Sequence, residues 1–468
     1  IGSGLAETIT ADLRSLFGLG VVSRVRVAQA LQALSARDLA AAGDRLAVEL
    51  GRRLGAAWIV TGAYQRVGDQ LRITAHFVDV RTGALVRTVK VDGRVDQIFA
   101  LQDRIVFELT RGLDVRLGPE QVAAVARVET RSIAAYECYS RGMMNLRLGT
   151  LDSLDRAIVL LERATTLDPQ YVAAWTGLAA AYSLKGEFLR LPELCERAIE
   201  HARRALALDP RHATAHGRLG DALLNLGRVD EAIAALEHAL AIEPDNVFTL
   251  GVLARALWIG QGRIEEALER FERVVALNPE AGYAYLQMAL LYSLRGRYDR
   301  AEAAARRAVD LQERLLSGHE GLQLVGARAR LGYVFYLQGR YDEAVAEYER
   351  ELAFLATSDH LLRDRTRIEV MQKLGAAWLR AGRPDEAARW FDQAVRAFDE
   401  RIAKGADDPY TRYYMACLHA LRGEEAEAIA HLERSIAEGG PVQRVRAARD
   451  PDLEAIRQAP AVQALLAA

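Results

Sequence analysis

The feature that most constrains this chain is a recurring stop. An acid or amide followed by proline closes helical runs at Asp168-Pro169, Asp209-Pro210, Glu243-Pro244 and Asn278-Pro279. Pro210 to Pro244 is 34 residues and Pro244 to Pro279 is 35. Proline has no amide N–H to give a helix interior, so each one ends a segment. Between two stops, residues 213–244 hold two short amphipathic runs. Leu219, Gly220 and Leu223 share a face of the first run, Gly227 breaks it, and Ala232, Leu236 and Ala239 mark the inner face of the second. One such pair cannot bury its own apolar stripe, so copies must stack on one another. The spacing predicts an all-α superhelical solenoid of about eight helix pairs over residues 133–448.

The same positions recur in the other copies. The second carries Trp175, Leu178, Ala179 and Tyr182; the fourth Leu253, Ala254, Leu257, Ala267 and Phe271. The fifth carries Tyr285, Met288, Ala289, Tyr292, Gly296, Tyr298 and Ala301, and the sixth Leu331, Gly332, Phe335, Gly339, Tyr341, Ala344 and Tyr348. Leu374, Gly375, Trp378, Gly382, Ala387 and Phe391 give the seventh, and Met415, Ala416, Gly423, Ala428 and Leu432 a weaker eighth. In period and in these positions the chain resembles the tetratricopeptide repeats (TPR). An insertion at 188–194, a lengthened linker at 313–325 and a first helix extended back to about Leu361 depart from the period. Residues 449–468 read as short helices capping the last repeat.

Ahead of the repeats, residues 1–117 alternate differently. Residues 4–16 and 41–54 carry helical spacing, and 20–26 reads as a strand. Residues 57–64, 70–80 and 84–91 alternate apolar and polar around Gly68-Asp69 and Arg81-Thr82-Gly83, the pattern of a strand meander. Residues 95–115 return to helical spacing, with Ile98, Leu101, Ile105 and Leu109 inward. The fold class is therefore an α+β domain followed by the solenoid, with 118–132 as connector, and β structure is expected only before about residue 95. The run 54–75, the corner Val80-Arg81-Thr82-Gly83 and residues 98–103 resemble the TolB amino-terminal-like domains, related to the FlgO type. That resemblance implies protein–protein contact in a bacterial envelope or signalling protein, and no catalysis by this domain. The first strand and Asn-containing loop of that family have no counterpart here, which implies an amino-terminal truncation and an open strand position in the sheet.

Net charge is −2 over 468 residues, so no bulk attraction to nucleic acid or anionic membrane is implied. No apolar run reaches the ~18 residues of a spanning helix. Lys90, Lys185, Lys373 and Lys404 are the only lysines, a bias read as genome composition. Cys138, Cys195 and Cys417 are too scattered for a disulfide framework or a metal pair. His212 and His216 stand four apart, but His216 fills the slot of Trp175 and Tyr285, so packing accounts for it. Residues 1–4 lack the spacing of a phosphate loop. No catalytic, cofactor-binding or metal-ligating set is assigned.

The candidate surface is the concave face lined by the first helices. The register places Asn225, Arg255, Trp258, Tyr283, Tyr333, Tyr336, Arg380 and Tyr413 there, with Asp221 and Gln372 beside them. Aromatic residues interspersed with Arg and Asn suit a peptide groove. The Lys/Asn pattern with which some tetratricopeptide proteins clamp a peptide's terminal carboxylate is not visible. The reading is a non-catalytic scaffold for a protein or peptide, without nucleic acid, cofactor or membrane span. Two rivals are a regulatory segment of a larger bacterial kinase or cyclase, and a self-assembling structural protein. The residues do not fix a compartment; the resemblance favours the extracytoplasmic side of a bacterial envelope.

Overall fold

The computed structural model describes residues 45–94, 132–146, 150–316 and 324–467, together with 22, 27, 101, 104, 105, 108, 130 and 148. Contacts divide the chain into two compact units. One comprises residues 1–147, 159–174 and 317–321; the other comprises 148–158, 175–316 and 322–468.

In the first unit, helix α1 (Arg45–Leu54) ends at Gly55, whose φ of +66° suits a residue without Cβ. Leu50 and Leu54 on its inner face pack with Ile59. Strands β1 (Trp58–Val67), β2 (Gln70–Asp79) and β3 (Leu85–Arg94) form an antiparallel meander in the order β1-β2-β3. Gly68, at φ +58°, makes the tight turn that pairs Val67 with Gln70. Asp79 Oδ1 accepts from the Thr82 amide at 2.8 Å and closes the next turn. Alternation in β2 sends Leu71, Ile73, Ala75 and Phe77 to one face, where they join Val89, Val91, Leu101 and Ile105. The meander read from the sequence is thus present, and no strand follows Arg94 among the described residues. The expected helix at 4–16, most of the expected strand at 20–26 and most of the helix at 95–115 lie outside the described residues; Val22 is described and is not in a strand, and Val27 is helical.

From Ile133 to Gly439, sixteen α-helices among the described residues follow as eight consecutive pairs: α2 (Ile133–Leu146) with α3 (Leu151–Leu167), α4 (Val172–Leu189) with α5 (Pro192–Leu208), α6 (Ala213–Asn225) with α7 (Val229–Ile242), and α8 (Val247–Arg255) with α9 (Ile264–Leu277). Then come α10 (Gly282–Leu294) with α11 (Tyr298–Leu316), α12 (Ala327–Leu337) with α13 (Tyr341–Thr357), α14 (Arg363–Arg380) with α15 (Pro384–Ala403), and α16 (Pro409–Leu421) with α17 (Glu425–Gly439). Glycines at 227, 262, 296, 339, 382 and 423 turn the chain within six of these pairs, at φ between +68° and +77°. Arginine before the second helix grips its first turn: Arg228 with Glu231 and Arg340 with Glu343, each at 2.6 Å, and Arg263 with Glu266.

The small residues of the first helices sit where the sequence register puts them. A Cβ on Gly220 would lie 2.5 Å from Leu236 Cγ, one on Gly375 2.6 Å from the Phe391 ring, and one on Gly332 2.9 Å from Tyr348. Each glycine therefore lets its helix meet the second helix of its own pair. The insertion at 188–194 is taken up by a long α4 and by Arg190 at φ +56°. The first helix of the fourth pair ends in a π turn, Ala256–Gly260, a wider coil than the α-helix.

After α17 the chain does more than cap. Gly440, at φ +67° and ψ −151°, redirects it into α18 (Pro441–Ala447), which packs on the π turn of the fourth pair. A 3-10 turn, Pro451–Leu453, lies against α16. Finally α19 (Pro460–Ala467) returns to α17. Leu453, Ile456 and Val462 share a core with Tyr413, Leu418 and Leu432.

Candidate functional site

The concave residues named from the sequence fall into two groups. The first is a polar network on early first helices. Arg255 Nη2 donates to Asn225 Oδ1 at 2.7 Å and Asp221 Oδ1 at 3.1 Å, and Ser183 Oγ donates to Asp221 Oδ2 at 2.9 Å. Burial opposes the Arg255 charge, but Glu187 and Asp221 outweigh it and raise its pKa. Arg255 and Asn225 are thus engaged within the chain. Tyr283 is 47% exposed overall, but its hydroxyl belongs to the same network: burial raises its pKa, against the charge of Arg255 and a hydrogen bond with it. Trp258 lies in the π turn and is 2% exposed. The sequence register points it into an open groove; in the structure α18 packs on the π turn that carries it.

The second group surrounds the C-terminal segment. Tyr336 Oη donates to Asp452 Oδ1 at 2.7 Å, and Gln372 Nε2 to Asp452 Oδ2 at 2.9 Å. Lys373 Nζ reaches the same Oδ2 at 2.6 Å and both Asp450 oxygens at 3.3 Å. Tyr413 Oη donates to Asp450 Oδ2 at 3.0 Å. Arg380, at the rim, donates to the Pro451 carbonyl at 3.3 Å and to Glu454 at 3.2 Å. The Lys373 ammonium lies 4.9 Å from the Tyr333 ring centre, a cation–π contact. Three consecutive first helices, α12, α14 and α16, therefore converge on Asp450-Pro451-Asp452.

The sequence register places Tyr333, Tyr336 and Tyr413 on the concave face; the structure covers them there with the chain's own tail. Tyr413 is fully buried and Tyr336 is 3% exposed. The tail is pre-shaped for this. Pro451 fixes one dihedral, and Asp450 Oδ1 accepts from the Asp452 amide at 3.2 Å. Both carboxylates then enter one pocket.

The electrostatics close consistently. Burial opposes charge on Lys373, yet Asp450 and Asp452 hold its pKa well above the ordinary amine value. Burial also opposes charge on Asp452, but Lys373 and the bonds from Gln372 and Tyr336 keep its pKa lowered. Cys417, Asp450 and Asp452 bring one ligand atom each within 4.8 Å of one another, the one such set among the described residues. The Lys373 ammonium already supplies the positive charge there, so the set is an ion-pair pocket. His212 and His216 serve locally: His212 Nδ1 accepts from the Ala215 amide at 3.1 Å, and His216 packs on the His238 ring.

Lys373 and the two aspartates were missed from the sequence. Lys373 is one of only four lysines, and it sits on an otherwise inward-facing stretch of α14. That combination was the available signal. The carboxylate clamp not visible as a Lys/Asn pattern exists here as Lys373, Gln372, Tyr336 and Tyr413, and it holds side-chain carboxylates. Three buried polar atoms lack a partner around it, namely Arg330 Nε, Tyr348 Oη and Gln372 Oε1. A cavity of about 10 Å³ beside Arg330, Glu369, Lys373 and Asp450 has room for at most about one water.

Comparisons with known proteins bear on the helical region. Tetratricopeptide repeat profiles match residues 193–247, 280–357 and 373–393. A Rhizobium meliloti (strain 1021) protein named "Putative adenylate cyclase 3" is 28% identical over 248 residues, 50% of this chain and 38% of that protein. The small glutamine-rich tetratricopeptide repeat-containing protein 2 of Mycosarcoma maydis is 32% identical over 90 residues, 19% of this chain and 24% of that protein. This chain thus spans well under half of either relative. A tetratricopeptide repeat protein of Parabacteroides merdae ATCC 43184 covers 58% of this chain and 97% of its own, at 15% identity and TM-score 0.40. The Cut9–Hcn1 structure covers 78% and 63%, at 13% identity and TM-score 0.46. With the helix pairs, their glycine turns and the matched profiles, the chain carries an array of tetratricopeptide repeats.

Proposed function

We propose that this chain is a non-catalytic protein-interaction scaffold whose repeats capture a protein or peptide on their concave face. One observation carries the reading. Side chains from three successive first helices, Tyr336, Lys373 and Tyr413, already converge on a short acidic segment. A groove that fits one such segment has the chemistry to fit another. The three-stranded sheet and its neighbours are read as a TolB amino-terminal-like domain, a second protein-contact module. The extracytoplasmic location rests on that resemblance, and fractionation of the source cells tests it.

The partly exposed Tyr283, the outermost of the concave aromatics named above, is the probe for the scaffold reading. A photo-crosslinking amino acid at position 283 should give a discrete adduct with a partner in extract of the source organism, and Tyr283→Ala should weaken that capture. Absence of any adduct counts against the concave face as the capture surface.

A second reading is favoured by the adenylate-cyclase-named relative. In it the chain is a regulatory segment of a larger signalling enzyme, and the repeats control an attached catalytic domain. Nucleotide-cyclase assays on the polypeptide as encoded by its gene, with and without residues 441–468, test this alternative.

A further inference from the structure

We propose that Asp450-Pro451-Asp452 is a resident pseudo-ligand, and that the Lys373 pocket, once vacated, takes an extended partner segment bearing two carboxylates two residues apart. This rests on the scaffold reading and adds the ligand chemistry and a competitive closure. The contacts are those of a recognition site. Lys373, Gln372, Tyr336 and Tyr413 all direct polar groups at the two aspartate side chains. Arg380 at the rim reads the intervening backbone carbonyl, a contact open to any sequence.

The fit is incomplete, which a purely structural plug would not need. Arg330 Nε is buried without a partner beside the small cavity, and Gln372 Oε1 is buried without one next to Lys373 on α14. A buried polar group left unpaired has given up its water without replacement. A partner segment with a further acceptor near Arg330 and a donor near Gln372 would satisfy them, and so would compete. The cationic surplus points the same way. When the tail leaves, its two aspartates and Arg446 go with it; Lys373 and Arg330 remain beside Glu369, with Arg380 at the rim. The pocket then favours an acidic segment over a neutral or basic one.

The tail also has a place to swing from. Gly440 holds φ +67° and ψ −151°, a region essentially restricted to glycine. No Cβ contact lies within 4 Å there. Residues 441–468 can therefore depart from a single pivot while α16 and α17 remain paired.

A fluorescent peptide of residues 446–456 tests the claim by polarisation against the full chain. It should bind the D450N/D452N chain at least tenfold more tightly than the parent, and the same peptide carrying asparagine at both positions should not bind. Equal affinity for both chains, with parent-like circular dichroism, overturns the proposal. Should the double variant fail to fold, the parent chain answers through the part of its own tail that the peptide does not replace, residues 457–467, which pack back on α17. Hydrogen exchange over that segment should accelerate at least threefold at saturating peptide. Exchange that is unchanged at saturating peptide overturns the proposal. A partner still crosslinked at position 283 while the peptide fails leaves the scaffold reading standing and removes only the displaceable tail.

Discussion

Lys373 shows how much can hang on one buried charge. Its ammonium serves Asp450 and Asp452 at once, and the side chains of all three are 4% exposed or less. Removing one partner of such a set strands the others in a low dielectric, at about 3–5 kcal/mol. Lys373→Met should therefore lower the urea midpoint substantially. Adding D450N/D452N should recover part of that loss, because it removes the stranded charge. A triple variant no more stable than Lys373→Met would show that the ion pair is not what the lysine contributes. The cysteines report the same burial. Desolvation pushes the Cys195 thiol up to about 11 and Cys417 well above its ordinary value. Both should resist alkylation at neutral pH in the native chain, with the half-buried Cys138 reacting first. Peptide mapping after brief iodoacetamide treatment gives the order.

At the scale of the helix pair, glycine does two different jobs, and substitution separates them. Gly220 is a packing glycine: the Leu236 side chain fills the space a Cβ would need, at 2.5 Å. Gly220→Leu should cost roughly 1–3 kcal/mol through overpacking. Gly227 is a turn glycine, at φ +75° with nothing within 4 Å of a Cβ. Gly227→Ala should cost about 1–2 kcal/mol through backbone strain alone. A melting temperature for Gly220→Leu equal to the parent's would break the packing assignment. The helix pairs were legible because this logic repeats: Gly220, Ala254, Ala289, Gly332 and Gly375 recur in one register, and each copy restates the last. The meander was legible because Leu71 to Phe77 alternate strictly. Two things broke the pattern and stayed hidden. The π turn at Ala256–Gly260 inserts a residue that periodicity read at 3.6 residues per turn cannot register, and α18 lies on that turn, where Trp258 is buried. The tail's entry into the groove pairs Asp452 with Tyr336, 116 residues away; no local pattern encodes a contact that long.

Across the whole molecule, acid should act in two steps, because two classes of group hold depressed pKa values. Burial, then the Arg412 charge, pushes His431 from 6.5 down to about 4. It faces Arg412, His419, Asp407 and Arg434, and their balance favours the neutral ring. A depressed histidine contributes stability that is complete above its unfolded pKa and is lost as pH falls through its folded one. Stability should therefore decline from about pH 6.5 to about pH 4. His360, held neutral by burial, adds to the same window. His431→Gln should flatten the decline without abolishing it. The second step belongs to carboxylates such as Asp452, Asp407 and Asp408, whose pKa values lie below 3.8 in the fold. Their contribution is complete above the unfolded carboxylate pKa and is lost as pH falls through the lower folded value. In this step Asp452 takes up its proton and the Lys373 pocket loses its anion, so the tail should loosen only below pH 3.8. Urea midpoints taken from pH 7 downward report the first step, and peptide-fragment hydrogen exchange over residues 450–456 reports the second. Exchange of the tail that rises in step with the histidine window, and disappears in His431→Gln, would show that the tail is held through α17 and not by Lys373.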